Sequence, residues 1–336
     1  MVEVAPKEWV NYIKNRLVEP ETDFESLGLE LFDLQRNHSA IYNEWLTCTN
    51  RLSISPRSLS EIPCLPISFF KTHIVTLQGI EPRVFFESSR TTGQVPSRHA
   101  VADVAFYQRI TRHIFEDRFG PLTDFSFLAL LPNYLANPQS SLLAMVNYFM
   151  EQSRAHTGGY LLDDPASFQQ RLEAVRWEGR KPVLFGVTFA LLTLCDKVDT
   201  SEEVFYIFET GGMKGRGPEV TRAQLHERLL ERFPNALVFS EYGMTELLSQ
   251  GYTTQPAGEL FAGPAWLQAY ARDIRDPFMV LPTGQRGGLN IIDLANVESC
   301  AFIETSDMVE VMPNGTFRIL GRLDNSEIRG CNLLVG

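Results

Sequence analysis

The strongest constraint on the fold is an alternation of two kinds of segment from Arg83 onward. Short runs rich in β-branched and aromatic residues alternate with amphipathic runs of roughly ten to seventeen residues, as in βαβ units. The short runs predict strands at residues 84–87, 125–131, 182–187, 204–209 and 236–240. The amphipathic runs predict helices at residues 100–116, 140–153, 167–177 and 221–233. We therefore expect an α/β fold with a mainly parallel, helix-covered sheet.

The segments on either side of this alternation differ from it. Before it, apolar residues at helical spacing follow Asp23, a candidate N-cap, and a serine- and proline-rich stretch covers residues 51–66. After Gly258, strands are predicted at 288–294, 299–304, 308–312 and 316–320, with a hairpin turn at 314–315. The sequence thus predicts a helical and extended lead-in packed on the body (1–80), an α/β body (81–256), and a smaller β-rich subdomain with a C-terminal tail (257–336).

The charge of the chain excludes several classes of partner. It has 30 Lys and Arg residues against 41 Asp and Glu residues, a formal net charge of −11. Such a surface does not attract nucleic acid or anionic lipid, so any phosphate must be bound by a local site. Residues 1–10 lack the layout of a secretory signal, and no apolar run approaches the roughly 20 residues that span a bilayer. We expect a cytoplasmic protein without a membrane span.

Cysteine and histidine residues form no pattern typical of a metal site or a disulfide framework. The five cysteines are scattered, and no two have CxxC spacing. The six histidines show neither an HExxH motif nor a cluster. One of the cysteines can still be reactive, because an activated thiolate needs no cysteine partner.

A hydroxyl-rich segment follows the first predicted strand. It supplies four hydroxyl groups, a guanidinium and a glycine, in the order Ser88, Ser89, Arg90, Thr91, Thr92 and Gly93. Where a chain leaves a sheet, hydroxyl and backbone N–H groups can bind a polyphosphate, and the arginine adds positive charge. The alternative is a Ser/Thr-rich turn that only caps the next element.

The turn after the last predicted strand of the body combines four useful groups. They are the ring of Tyr242, the flexible Gly243, the hydroxyl of Thr245 and the carboxylate of Glu246. A ring can stack on a base, a hydroxyl can bond an α-phosphate, and a carboxylate can hold Mg²⁺. An ordinary polar turn is the alternative.

Three further segments carry candidate residues. Gly211 and Gly212 allow the backbone to lie against a planar ring or a phosphate, with Lys214 nearby as a point charge. Asp307, at a predicted strand end, can accept both hydroxyls of a ribose, and Arg322 lies in a polar stretch further on. Each segment alone is equally consistent with an ordinary turn.

The order and spacing of these segments resemble the adenylate-forming superfamily of acyl- and aryl-CoA ligases. Its signatures are Ser-Gly-Thr-Thr-Gly, Tyr-Gly-x-Thr-Glu, Thr-Gly-Asp and Gly-Arg-x-Asp-Asp, and their counterparts here are residues 88–93, 242–246, 305–307 and 321–325. Within the superfamily, the closest resemblance is to the acyl-protein synthetases of bacterial bioluminescence fatty acid reductases, over most of the chain. The resemblance implies α/β subdomains with a smaller β-rich one, a nucleotide-binding body at 81–256, and carboxylate activation with ATP.

The resemblance also implies a role for each matched residue. The phosphate loop would comprise the hydroxyl-bearing residues and the glycine of the first segment: Ser88, Ser89, Thr91, Thr92 and Gly93. Adenine and ribose would be contacted by residues of the later segments: Gly211, Gly212, Tyr242, Asp307 and Arg322. Thr245 would contact the α-phosphate, and Glu246 would hold Mg²⁺. Two positions depart from the family pattern, because Arg90 and Ser306 stand where the family has glycine.

The end of the sequence is a third departure. In the CoA ligases the Gly-Arg-x-Asp-Asp stretch leads into a mobile C-terminal domain of roughly a hundred residues that supplies a catalytic lysine. Here six residues follow Gly330, so the resemblance implies that this lid domain is absent. In acyl-protein synthetases the acyl group passes to a cysteine near the C-terminus, which Cys331, close to Arg329, would match. The alternative for Cys331 is an inert tail residue, whereas Cys300 is expected in the core.

The sequence as a whole predicts an AMP-forming acyl-protein synthetase, an acid–thiol ligase that uses ATP and Mg²⁺. Its substrate would be a carboxylic acid, expected to be a fatty acid, and its partner an acyl-acceptor or reductase protein. The expected catalytic residues are Cys331, Lys214, Thr245 and Glu246. Two alternatives stay open: a CoA ligase whose C-terminal domain is missing, and a non-catalytic nucleotide-binding subunit of a reductase or biosynthetic complex.

Overall fold

The N-terminal helices are attached to the rest of the chain by buried polar contacts. The structure, a computed structural model, describes residues 7–88, 95–132, 137–161, 167–211 and 220–323. Its first elements are α1 (Lys7–Arg16), α2 (Phe24–His38), α3 (Ala40–Cys48), β1 (Leu65–Pro66) and α4 (Phe69–Thr72). Asp23 caps α2, as predicted, by accepting hydrogen bonds from N–H groups of its first turn. The buried Lys14 of α1 reaches Asp103 (3.1 Å) and Glu298 (2.7 Å), which ties α1 to two distant segments.

One predicted strand forms a hairpin outside the main sheet. β2 (Val84–Glu87) has the predicted bounds, but it pairs antiparallel with β3 (Arg98–Val101) in a sheet of two strands. The prediction that this strand belongs to the parallel sheet is therefore wrong. The helix predicted at residues 100–116 also begins later, because Asp103 accepts a hydrogen bond from the N–H of Phe106 and so caps α5 (Val104–Phe119).

A parallel sheet with intervening helices occupies the middle of the chain, as the sequence predicted. Its strands are β4 (Phe125–Leu130), β5 (Gly159–Tyr160), β6 (Lys181–Val187), β7 (Tyr206–Thr210) and β8 (Leu237–Tyr242). The helices are α6 (Ser141–Ser153), α7 (Ser167–Trp177), α8 (Thr188–Lys197) and α9 (Arg222–Arg232). The predicted β4, β6, β7, β8, α6, α7 and α9 are confirmed to within two residues at each end. The sequence missed α8 because it follows β6 directly, without a turn residue between two apolar runs.

The C-terminal strands extend the same sheet in antiparallel fashion. They are β9 (Gly251–Thr253), β10 (Phe261–Ala262), β11 (Leu267–Arg272), β12 (Arg286–Asp293), β13 (Phe302–Val311) and β14 (Phe317–Arg322). Within the described residues the strand order is β11-β12-β13-β14-β10-β9-β8-β7-β6-β4-β5, and β1 pairs with β13. The strands predicted at 299–304 and 308–312 are one strand, β13, with an irregularity after Met308.

The domain boundaries at 81 and 257 stay predictions. No helix in the part of the chain that the structure describes could cross a bilayer.

The core between α5 and the sheet is built from aromatic rings. Phe115 of α5 is fully buried. Its ring centroid lies 5.0 to 6.3 Å from those of six aromatic neighbours: Phe119, Phe125, Phe127, Phe149, Phe208 and Tyr252. Rings at such distances contribute both buried apolar area and favourable edge-to-face contacts. Because α5 directly follows the β2–β3 hairpin, this packing also limits where the hairpin can lie relative to the main sheet.

Replacing Phe115 tests this core. Phe115→Ala removes a fully buried ring and leaves a cavity, so it should lower the free energy of unfolding by about 3–5 kcal/mol. Trp177→Ala is the control, because the Trp177 side chain is 91% exposed and surface substitutions usually change stability by about 0.5 kcal/mol or less. Denaturant unfolding measures the free energy of unfolding of both variants. A similar decrease in the two variants would contradict the described packing.

Candidate functional site

Two of the predicted turns begin at the same edge of the sheet. β7 and β8 pair in parallel, with Thr210 opposite Glu241, so the residues that follow them leave at one edge, where α/β sheets bind ligands. Gly211 has a φ of 76°, a left-handed conformation that favours glycine. On the neighbouring strand, Tyr242 is the last residue and the exposed Gly243 follows it. The structure thus places Gly211 and the Tyr242 turn side by side.

Three predicted nucleotide-binding residues contact one another. The Tyr242 hydroxyl donates a hydrogen bond to Asp307 Oδ2 (2.7 Å), and Arg322 Nε lies 3.7 Å from Asp307 Oδ1. Asp307 and Arg322 are cross-strand partners on β13 and β14. The Tyr242 ring packs against Phe261 and Phe317, with centroids 5.8 and 5.6 Å away. Burial raises the pKa of Asp307, whereas the side chain of Arg322 is 78% exposed and open to a ligand.

The Glu246 carboxylate is buried at the other end of the same turn. Glu246 is 5% exposed, and its burial raises its pKa, while a hydrogen bond from the Ser97 side chain lowers it. Lys71 and Arg322 lie near enough for their positive charges to favour the carboxylate. Among the described residues, the hydrogen bonds to this carboxylate come from the neutral Ser97 hydroxyl and from the Glu246 backbone N–H. A carboxylate has about four lone-pair sites, so it can also accept a cation or another donor.

The backbone of this turn is held by residues that sequence reasoning missed. His99 of β3 lies with Nδ1 2.9 Å from the Thr245 carbonyl oxygen and Nε2 2.8 Å from Ser299 Oγ. Burial lowers the pKa of His99 to about 4, so the ring is neutral near pH 7. Asn296 Nδ2 donates to the Glu246 carbonyl (2.8 Å). No sequence motif marks His99 or Asn296, because their role depends on contacts between residues far apart in the chain.

The described ends of the hydroxyl-rich segment are bonded to each other. Ser88 N–H donates to the Ser97 carbonyl (3.0 Å), and Ser97 N–H donates to Ser88 Oγ (2.9 Å). Glu87 and Arg98 form an ion pair one step along the hairpin (3.3 Å). Because Ser97 also bonds Glu246, the base of this segment lies beside the Glu246 carboxylate.

The structure therefore brings together the predicted site residues that it describes. These are Ser88, Gly211, Tyr242, Gly243, Thr245, Glu246, Asp307 and Arg322. The other predicted site residues lie outside the described residues: Ser89, Arg90, Thr91, Thr92, Gly93, Gly212, Lys214 and Cys331. Their roles stay predictions.

The donor set around Glu246 suits a magnesium ion that is bound mainly through a nucleotide. Among the described residues, no group of three or more His, Cys, Asp and Glu side chains could hold a metal by itself. Mg²⁺ in phosphate-binding enzymes is held by one or two carboxylates together with substrate oxygens and waters. The free lone pairs of the buried Glu246 carboxylate fit that mode of binding.

The buried cysteines are unsuited to act as nucleophiles. Cys64, Cys195 and Cys300 are buried, and burial raises the pKa of Cys195 to about 11 and that of Cys300 to about 12. At those values almost no thiolate exists near pH 7. The expectation that Cys300 lies in the core is confirmed, since it is 0% exposed.

A second buried carboxylate lies directly beneath the Tyr242 turn. Glu241 accepts a hydrogen bond from Thr210 Oγ1, and a Cβ atom at position 243 would meet Glu241 Oε1, so a side chain there would require the Glu241 carboxylate to shift. Burial and then the nearby Glu209 raise the pKa of Glu241 to about 7, although the Thr210 hydroxyl opposes the shift. Glu241 therefore holds a proton in the folded protein that it would lose in the unfolded chain near neutral pH.

Glu241→Gln tests this assignment through the pH dependence of stability. The folded pKa of about 7 lies above the ordinary value of 4.5. Wild-type protein should therefore lose stability, on the order of 3 kcal/mol, as the pH rises from about 4.5 through 7. Glutamine carries no charge in either state. The free energy of unfolding of the variant, relative to that of the wild type, should therefore increase from pH 5 to pH 8. Unfolding free energies at the two pH values measure this, and a difference independent of pH would contradict it.

Comparison with known proteins shows that the chain shares its fold with solved structures. No protein-family model and no curated protein sequence matches the chain. Among solved structures, it is similar to 2-hydroxyisobutyryl-CoA ligase in the postadenylation state with R3-HIB-AMP, at a TM-score of 0.64 and 14% identity, over 93% of this chain and 70% of that one.

Two further structures support the same conclusion. ATP-bound MatB from Rhodopseudomonas palustris has a TM-score of 0.51 at 17% identity over 71% of this chain. The ATP-bound RpMatB-BxBclM chimera B3 has a TM-score of 0.53 at 17% identity over 73% of this chain. The chain spans about half the length of these two proteins, 47% and 49%. The predicted α/β fold is thus the one that these ATP- and adenylate-bound proteins share.

Proposed function

We propose that this chain is an ATP- and Mg²⁺-dependent enzyme that converts a carboxylic acid to an acyl-adenylate and passes the acyl group to a thiol. The observation that carries the proposal is the contact of Asp307 with both Tyr242 and Arg322, since Tyr242 belongs to the same turn as the buried Glu246. The shared fold supports it, because solved structures of that fold contain ATP or an adenylate. The sequence motifs support it as well, because these residues occur along the chain in the same order as the matching motifs of the adenylate-forming superfamily.

In this proposal the nucleoside binds between the ends of β7 and β8 and the middle of β13, where Asp307 lies instead of at the predicted strand end. Gly211 and Gly212 line the adenine, and Tyr242 flanks the purine ring. Asp307 accepts the ribose hydroxyls, for which its carboxylate is suited because it is 17% exposed and is held by the Tyr242 hydroxyl. Arg322 is exposed enough to reach the ribose or a phosphate.

The reacting phosphates bind between the hydroxyl-rich segment and Glu246. Ser88, Ser89, Thr91, Thr92 and Gly93 bind the polyphosphate, while Arg90 and Lys214 neutralise charge on the leaving pyrophosphate. Thr245 contacts the α-phosphate. Glu246 would hold Mg²⁺, which would supply positive charge to the phosphate oxygens and so lower the repulsion that an approaching carboxylate meets.

The acyl group then leaves AMP for a thiol. A thiolate attacks the carbonyl carbon of the mixed anhydride, a carbon–sulfur bond forms, and the carbon–oxygen bond to AMP breaks with AMP carrying the electron pair away. We propose Cys331 as this nucleophile, because its position matches the acceptor cysteine implied by the resemblance to acyl-protein synthetases and Arg329 would favour its thiolate. Among the described cysteines, Cys64, Cys195 and Cys300 are buried and Cys48 is exposed. The resemblance to acyl-protein synthetases supports a fatty acid as substrate and a reductase or acyl-acceptor protein as partner.

Replacing Glu246 tests the nucleotide half of the proposal. Glu246→Gln keeps the shape but removes the charge, so acid-dependent exchange of pyrophosphate into ATP should fall by about 10²–10³-fold. Glu310→Gln is the control, because Glu310 is also on the sheet but pairs with Arg318, away from the turn. Unchanged exchange in Glu246→Gln, or an equal loss in both variants, would refute the proposed metal site.

Replacing Cys331 tests the second step separately. Cys331→Ser should abolish a covalent acyl adduct seen by intact-protein mass spectrometry, whereas pyrophosphate exchange should continue because adenylation does not use the thiol. Cys300→Ala, which alters a buried thiol, should retain the adduct. An adduct at full yield in Cys331→Ser would exclude Cys331 as acceptor. Release of acyl-CoA on addition of coenzyme A would instead support a CoA ligase.

A further inference from the structure

His99 joins two parts of the site that are far apart in sequence. It lies on β3, two residues after Ser97, whose hydroxyl bonds the Glu246 carboxylate. Its own Nδ1 lies 2.9 Å from the carbonyl oxygen of Thr245, the peptide group directly before Glu246. The hairpin that carries the hydroxyl-rich segment and the turn that carries Glu246 are therefore linked at two neighbouring points.

The two contacts of the His99 ring define its hydrogen positions. A carbonyl oxygen can only accept, so Nδ1 must carry the hydrogen that bonds Thr245. In the neutral ring Nε2 is then an acceptor, and it receives the hydroxyl hydrogen of Ser299, at 2.8 Å. His99 is 1% exposed, and its ring packs against that of Phe70 in a T-shaped arrangement, with the centroids 5.7 Å apart. Few other orientations are open to it.

We propose that His99 is a positioning residue for adenylation: its Nδ1–H holds the Thr245–Glu246 peptide so that the Glu246 carboxylate faces the bound phosphates. The proposal rests on the function proposed above. Fixing this peptide plane sets the direction in which the Glu246 side chain leaves the backbone. A displacement of about 1 Å at a reacting centre can cost roughly 100-fold in rate, which is the scale of effect expected here.

Two substitutions separate this role from simple packing. The amide nitrogen of Asn takes the place of Nδ1 of histidine, so His99→Asn can still donate to Thr245. The amide group of Gln extends to the place of Nε2, so His99→Gln faces Ser299 but loses the donor to Thr245. Gln fills more of the buried space than Asn, so a residue that only fills space would tolerate Gln better. A positioning residue would tolerate Asn better.

The test uses activity and a binding measurement without turnover. Acid-dependent pyrophosphate exchange should fall by about 10- to 100-fold in kcat for His99→Gln and by less than about threefold for His99→Asn, with the KM for the acid unchanged in both. Binding of Mn²⁺ in the presence of α,β-methylene ATP, followed by electron paramagnetic resonance, should weaken in the same order. The midpoint temperature of thermal unfolding, by contrast, should be higher for His99→Gln than for His99→Asn.

Several results would overturn the proposal. Wild-type exchange in His99→Gln, or a loss in His99→Asn as large as in His99→Gln, would show that the Nδ1 donor has no positioning role. Absence of exchange in the wild-type protein would refute the proposed function instead. In that case the Mn²⁺ binding measurement alone tests the role of His99. Equal Mn²⁺ affinity in the wild type, His99→Gln and His99→Asn would exclude the positioning role. If His99→Gln does not fold, His99→Leu takes its place, because Leu has nearly the shape of Asn but no donor for Thr245. Exchange and Mn²⁺ affinity as high in His99→Leu as in His99→Asn would overturn the proposal.

Discussion

Asp293, fully buried at the end of β12, accepts hydrogen bonds from the N–H groups of Leu248 and Ser249 (2.9 and 2.8 Å) and from the Ser249 hydroxyl (2.7 Å). A carboxylate this deeply buried is tolerated only where donors satisfy its lone pairs. The backbone that follows Glu246 is therefore favoured in the conformation in which its N–H groups donate to Asp293. The position of the whole Tyr242 turn relative to the sheet depends on this contact, although Asp293 itself touches none of the predicted site residues that the structure describes.

The N-terminal lead-in supports the same region from the other side. Gln35 of α2 is fully buried and bonds three backbone groups of residues 296–301, donating to two carbonyls (2.8 and 3.2 Å) and accepting from the Ala301 N–H (2.9 Å). Lys14 of α1 reaches Glu298 in the same segment. These residues flank Ser299, which in turn contacts His99. The lead-in thus belongs to the framework of the site and does more than cover the core.

The sequence predicted those features that depend on local patterns. Buried parallel strands such as β4 and β6 are continuous apolar runs, and α9 has one apolar face, so each could be located by periodicity. The partner of β2 could not, because β3 is short and reads Arg-His-Ala-Val, which resembles the start of a helix as much as a strand. Motif order predicted Tyr242, Glu246, Asp307 and Arg322 as candidate site residues. Their contacts could not be predicted, since the bond from Tyr242 to Asp307 spans 65 residues, and nothing local marks His99 as the residue that holds Thr245.

The central claim is that a carboxylate oxygen attacks the α-phosphorus of ATP at this site. Incubation with ATP, Mg²⁺, a thiol acceptor and a panel of fatty and aryl acids labelled with ¹⁸O in the carboxylate tests it directly. Attack by the acid leaves one of its oxygens on phosphorus when the acyl group departs, so the account predicts AMP that carries one ¹⁸O atom, together with unlabelled pyrophosphate. Formation of ADP and phosphate, or of AMP without the label, would contradict it.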